Sequence, residues 1–290
     1  MANKLARGRW RSEPHLEALS DALFDAATEG GKRIIVSMPP RHGKSELTSH
    51  WFPVWYLDRF PDRQLILASY AADFASDWGR KVRNTMAENA QVLRCTLAED
   101  SKAANKWNTT EGGGMVTAGI GGPITGRGAH VLIIDDPVKN LEDAYSAAMR
   151  AKAWEWYQST AYTRLEPNAS VVVVMTRWHE DDLVGRLLRA QAKGEGDTWE
   201  VIRFPALSEG DETDLLGRPE NEPLWPDRYD AQRLERIRRT VGPLVWAGLY
   251  QQNPVPSGYE LFPEKAWQHY TFPPPLSQFS TLLSSWDFSF

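Results

Sequence analysis

The sequence predicts an α/β fold, a mostly parallel central sheet flanked by helices, and three observations predict it. Apolar runs of strand length recur along the chain, at Arg33–Val36, Gln64–Tyr70, Val131–Ile134 and Val171–Met175, and they are continuous rather than alternating, as strands covered on both faces are. Segments of helical period lie between them, such as Leu16, Leu19, Leu23 and Phe24. Two of the runs also deliver polar residues at their ends, where open α/β sheets bind ligands: Gly43-Lys44-Ser45 after the first and Asp135-Asp136 after the third.

Taken in order, Pro14–Glu29 reads as a helix stopped by Gly30-Gly31, leading into a strand, a tight loop at Pro39-Pro40 and a new helix start. In such a loop the backbone N–H groups and the positive helix end cradle phosphates, Lys44 reaches the outer phosphates, and the Ser45 hydroxyl faces magnesium. This is a P-loop pattern with Met38 where a glycine is usual, and an ordinary surface turn is its bland alternative. Upstream, Arg9, Trp10, Arg11 and His15 either face the adenine base by stacking or simply pack. Trp51 and Trp55 at i, i+4 read as core. The strand Gln64–Tyr70 is expected between the P-loop strand and the next acidic strand, which by fold-level analogy is the additional-strand division of P-loop ATPases. A helix over Ala71–Ala87 carries Arg80, Lys81 and Arg83, expected as a solvated face.

Eight of the 21 glycines fall between Gly112 and Gly128. A short strand at Met115–Ala118 and a loop at Gly119–Gly128, with Arg127 as its single cation, are expected there. The loop contacts a ligand or merely connects strands. The following strand ends in a Walker B pattern, in which Asp135 is expected to hold magnesium through its shell and Asp136 to polarise the attacking water; a simple turn with Pro137 is the bland alternative. Ser146–Leu165 reads as an aromatic-rich helix, and Thr176 at the end of the next strand is placed to sense the γ-phosphate. No other histidine is spaced to join His179 in a metal site. Trp199–Phe204 reads as a strand within a loop-rich closing segment. The helix Ala231–Thr240 bears Arg233, Arg236, Arg238 and Arg239, a phosphate-facing patch or a solvated face.

Composition bounds the rest. At 290 residues, 42% hydrophobic and 24% charged, the chain has material for a large domain and an appendage. Cys95 is its one cysteine, so no internal disulfide forms. No apolar run reaches membrane-spanning length, and the net charge of −5 gives no global attraction to nucleic acid, so any DNA contact is local.

The blocks PHLEAL, MPPRHGKSE, LASYAADFA, TGRGAHVLIIDDP, TRWHEDDLVGRL, LYQQNPVPSG and SWDFSF resemble, in order, those of the large terminase subunit of tailed bacteriophages. The resemblance implies ATP and Mg2+ as ligands and a nucleotide cradle of Pro40, Arg41, His42, Gly43, Lys44, Ser45 and Glu46. Within it Arg41 is the P-loop arginine, Asp135-Asp136 Walker B and Thr176 the coupling motif. The family's Walker B usually ends Asp-Glu, and this chain has Asp-Asp. Implied function is ATP-driven translocation of double-stranded DNA into a procapsid in the bacterial host cytoplasm, as a homo-oligomeric ring with portal protein and small terminase subunit as partners. A P-loop helicase or remodeller, or a nucleotide-gated DNA-binding module without turnover, are the other readings. The implied domains are an ATPase at 1–250, a linker at 251–280, and at 281–290 the first strand of a truncated RNase H-like nuclease, with Asp287 its first metal-binding acid and no nuclease activity expected. Arg127, acting in trans, and Arg41, in cis, are rival candidates for stabilising the transition state, the bland alternative being that Arg127 only pins its loop to a carboxylate.

Overall fold

A computed structural model describes residues 1–255 apart from positions 7, 9 and 125, and only the backbone of 100–102. Arg9, the expected linker beyond Val255, and the expected strand at 281–290 with Asp287 lie outside the described residues.

The apolar runs form the strands expected of them. An eight-stranded sheet has the spatial order β3 (Leu97–Lys102), β4 (Lys106–Thr109), β5 (Gly114–Gly119), β2 (Gln64–Ser69), β6 (Ala129–Asp135), β7 (Leu165–Met175), β1 (Arg33–Ser37), β8 (Glu200–Arg203). From β5 to β8 neighbouring strands are parallel, while β3 and β4 add an antiparallel edge. The strand lying between the P-loop strand and the acidic strand is β7, paired with both. The sequence assigned that place to Gln64–Tyr70, but β2 pairs on the far side of β6. Strand order depends on crossovers that hydrophobic pattern does not encode.

Both faces of the sheet are covered, which is why its central strands have no polar alternation. With a side-chain period of two, Ile34, Val36, Leu65 and Leu67 join a core built with α2 (Pro14–Thr28), α3 (Phe52–Arg59) and α4 (Ala72–Glu88). Ile35 and Ile66 join a second core with Trp156 and Tyr157, at the end of α6 (Ala147–Trp156), and with Leu183 and Leu187 of α7 (Leu183–Ala192). Each such fully buried aliphatic side chain contributes about 1.5–3 kcal/mol.

The helix after the P-loop does not start as an α-helix. Glu46–Trp51 winds in wide π turns, with the Phe52 amide donating to the Leu47 carbonyl. Pro53, at the start of α3, has no N–H to give the carbonyl four residues back, and the wider turn accommodates that loss. A third, small core gathers Ala206, Leu234 and Trp246 around α8 (Ala231–Val245), which bends at Gly242 (φ 79°). The chain then runs through Gln251 and Gln252. Both were expected to open a linker, and both are built into the fold: the Gln251 amide exchanges two hydrogen bonds with the Leu207 backbone, at 3.1 and 3.0 Å, and Gln252 is buried.

Candidate active site

The loop after β1 is fixed by its own backbone and by what packs beneath it. Arg41 (φ 64°) and Gly43 (φ 94°) are left-handed, which turns the chain sharply into the helix. A Cβ on Gly43 would also meet the Leu16 side chain at 3.1 Å, so α2 closes under the loop where only glycine fits. Met38, standing where glycine is usual, is fully buried, and its amide donates to the Met175 carbonyl at 3.3 Å.

His42 turns inward. Its Nδ1–H donates to the Pro40 carbonyl at 2.9 Å, and His15 Nε2–H donates to the His42 carbonyl at 3.0 Å. Burial, the chief cause in each case, lowers both imidazoles to about 4, so both are neutral at physiological pH. The His42 ring stacks on Tyr229 with centroids 4.8 Å apart, and Trp225 lies 5.5 Å from His15. His15, read as either base-facing or packing, packs as a strut beneath the loop: it has no exposed surface with which to stack. Tyr229 and Trp225 were not anticipated, because their approach to the loop comes from tertiary packing of a segment that reads as featureless.

The polar strand ends converge. Lys44 Nζ lies 3.0 Å from Asp136 Oδ2. Ser45 Oγ donates to Asp135 Oδ1 at 2.9 Å, and Ser49 Oγ, one helical turn on, donates to Oδ2 at 2.7 Å. Asp135 has no exposed surface. Desolvation, and next the adjacent Asp136 charge, push its carboxyl well above the usual range, while Lys44 and the two serines pull the other way. The Thr176 amide donates to Asp136 Oδ1 at 3.1 Å, and its hydroxyl to the Met38 carbonyl at 3.3 Å. Asp136 itself is left-handed (φ 44°). Lys44, Ser45, Asp135, Asp136 and Thr176 thus share one locus at the carboxyl ends of β1, β6 and β7.

The donor set suits a hard cation. Among the described residues no group of three or more His, Cys, Asp or Glu side chains could cage a metal ion. A hydroxyl and one buried carboxylate match instead the way magnesium is held, by one or two protein oxygens, waters and substrate phosphates.

Beside Gly43 opens a cavity of about 720 Å³, whose lining includes Trp10, Arg11, Trp225, Arg228, Glu46 and Lys81. Trp10, read as either base-facing or packing, is one of its lining residues. Glu46 is already engaged, accepting from Lys81 Nζ at 2.5 Å and His50 Nδ1 at 2.8 Å. Lys81, read as part of a solvated face, is exposed, and its Nζ also pairs with Glu46 beside the loop. On the same helix Arg80 pairs with Asp77 at 3.1 Å.

The rival arginines lie far apart. Arg41 is exposed on the loop. Arg127 Nη1 donates to Gln64 Oε1 at 2.8 Å, at the amino end of β2, and precedes the amino end of β6. It sits at the opposite end of the sheet from its own chain's loop. On α8, Arg238 and Arg239 pair with Glu235 and Arg233 covers the Tyr229 ring at 4.8 Å, and all three, like Arg236, are exposed.

Comparison with known proteins gives one family. The profile "terminase large subunit, T4likevirus-type, N-terminal" matches residues 35–252. No curated protein matches the sequence. Among solved structures, the large terminase of bacteriophage HK97 superposes with a TM-score of 0.54 at 14% identity, over 84% of this chain and 51% of that one. An ATPase-domain mutant of the large terminase of Thermus phage P74-26 gives 0.57 at 13% identity, over 87% and 97%. This chain therefore spans about half the length of the HK97 protein.

Proposed function

Because the chain belongs to the terminase large subunit family of T4-like type, matched through that family's N-terminal part, we propose that it hydrolyses ATP to drive double-stranded DNA into a procapsid. The observation that carries this reading is the convergence of Lys44, Ser45, Asp135, Asp136 and Thr176 on one locus.

Each residue then has a distinct task. The loop amides from Arg41 to Ser45 and the Lys44 ammonium hold the β- and γ-phosphates. Lys44 leaves Asp136 to do so, which frees that carboxylate to accept a proton from the attacking water. Ser45 and Asp135 would hold magnesium, which would supply neutralisation of phosphate charge when bound. Thr176, hydrogen-bonded to both Asp136 and the loop, registers loss of the γ-phosphate. Trp10, Trp225 and Arg228 frame the adenine base in the cavity beside Gly43. Arg127 acts in trans on a neighbouring subunit's nucleotide; its distance from its own loop supports that over action in cis, with Arg41 as the rival. A homo-oligomeric ring follows from this, seated on the portal protein and loaded with DNA by the small terminase subunit, in the host cytoplasm.

Phosphate release from ATP and Mg2+, with and without duplex DNA, tests the reading against Lys44→Ala. Turnover in the unsubstituted chain, lost to background in the variant, is expected. Equal turnover in both would remove the loop from the reaction.

A further inference from the structure

Glutamine differs from its near neighbours in one respect: a single amide accepts and donates at once, whereas glutamate only accepts and leucine does neither. Gln252 uses both functions while buried. The Arg177 amide donates to its Oε1 at 3.1 Å, and its Nε2 donates to the Leu249 carbonyl. Its backbone is left-handed, φ 55°, a conformation that non-glycine residues adopt rarely and here one that turns the side chain's own segment back on itself. The segment Trp246–Tyr250 presses on the same place, since a Cβ on Gly248 would stand 3.0 Å from the Arg177 carbonyl oxygen.

Arg177 is held from other directions as well. Its Nε–H donates at 2.7 Å to Asp182, which has no exposed surface and which caps α7 by accepting from the Gly185 amide at 2.9 Å. The residue before it, Thr176, carries the amide that meets Asp136 Oδ1. The two residues after β7 therefore form a bridge. Thr176 is fastened to the strand-end acid and to the loop, and Arg177 to α7 and to the last turns before Val255.

We propose that Gln252 is a positioning residue for hydrolysis: by holding the Arg177 amide it keeps the Thr176 amide on Asp136, and so keeps that carboxylate aimed at the attacking water. The inference rests on the ATPase reading above. Gln252 bonds Arg177 and Leu249 and is not among the residues lining the cavity beside Gly43, so its loss is expected to change the catalytic step and leave nucleotide binding alone.

The test compares Gln252→Leu and Gln252→Glu in the full chain. The leucine variant is expected to lower kcat about tenfold with the KM for ATP within about twofold of the unsubstituted value. The glutamate variant still accepts from Arg177 but cannot donate to the Leu249 carbonyl, so it is expected to keep more of the rate than the leucine one without restoring it fully. Amide hydrogen exchange at Thr176 and Arg177 without nucleotide should speed up in the leucine variant and not in the glutamate one. Where the leucine variant does not fold, Gly248→Ala, which displaces the Arg177 carbonyl and leaves the glutamine in place, is expected to lower kcat in the same selective way. An unchanged kcat, or a loss shared with KM, overturns the positioning role. Absence of turnover in the unsubstituted chain overturns the ATPase reading and this inference with it.

Discussion

Lowering the pH from 7 to 5 should destabilise this protein through His15 and His42, and replacing one of them by glutamine should remove a calculable share of that loss. Both imidazoles have folded-state values near 4, against an ordinary value of 6.5. The folded state stays unprotonated in that interval while the unfolded chain takes up protons. Stability from this source is thus complete above pH 6.5 and is lost as the pH falls toward 4. Between pH 6.5 and 5 the loss is about 2 kcal/mol for each histidine, at about 1.4 kcal/mol per pH unit. Asp135 acts with the opposite sign, because its raised value lets the folded state bind a proton before the unfolded one does. That contribution is common to both proteins and cancels in their comparison. In His15→Gln the amide nitrogen occupies nearly the position of Nε2, preserving a donor for the His42 carbonyl. Urea unfolding of both proteins at pH 7 and pH 5 should show the variant losing about 2 kcal/mol less than the unsubstituted chain. Equal losses would mean that His15 is not held neutral beneath the loop, and the account of how the loop is supported would fail.

Three other outcomes follow from the site. Asp136→Asn should bind a fluorescent ATP analogue normally in equilibrium titration yet lower phosphate release by about 10²-fold or more, since the proton acceptor is lost and the buried Asp135 remains; loss of binding instead would reverse the roles of the two aspartates. Lys44→Ala should stay folded by circular dichroism while turnover disappears, although Asp135 and Asp136 lose their shared cation, so its unfolding midpoint should also fall at pH 8; an unchanged midpoint would contradict the ion pair. Mixing Arg127→Ala with Lys44→Ala subunits should restore turnover that neither has alone, because each supplies what the other lacks; a mixture as inactive as its parents, where unsubstituted rings turn over, would shift the role to Arg41.

Much of the site is legible in the sequence because each part is local. A strand end, a glycine at a fixed offset and a pair of acids need only a few consecutive residues, so Lys44, Ser45, Asp135, Asp136 and Thr176 can be found one motif at a time. What cannot be read is how distant segments meet. Trp225 and Tyr229 sit in a stretch of glycines, acids and prolines with no period, and their rings matter only because that stretch folds against His15 and His42. Gln252 resembles linker sequence until Arg177 is seen beside it. Lys81 is one of several cations on α4, and only its contact with Glu46 separates it from them. The edge strands β3 and β4 escaped for another reason: their residues are largely polar, and it is pairing with β5 that orders them.

The left-handed backbone at Asp136 decides more than a turn. In an extended strand consecutive side chains point to opposite faces, so Asp135 and Asp136 would look away from each other across the sheet. The positive φ at Asp136 breaks that alternation just past the end of β6, which lets Ser45 reach one carboxylate while Lys44 reaches the other. Aspartate and asparagine enter this conformation more readily than longer side chains, because a short polar group can bond locally. A glutamate at position 136 would extend farther toward a water molecule but would fit this backbone less easily. Having aspartate there is therefore a choice about chain direction as well as about reach, and the two acids owe their shared view of the loop to it.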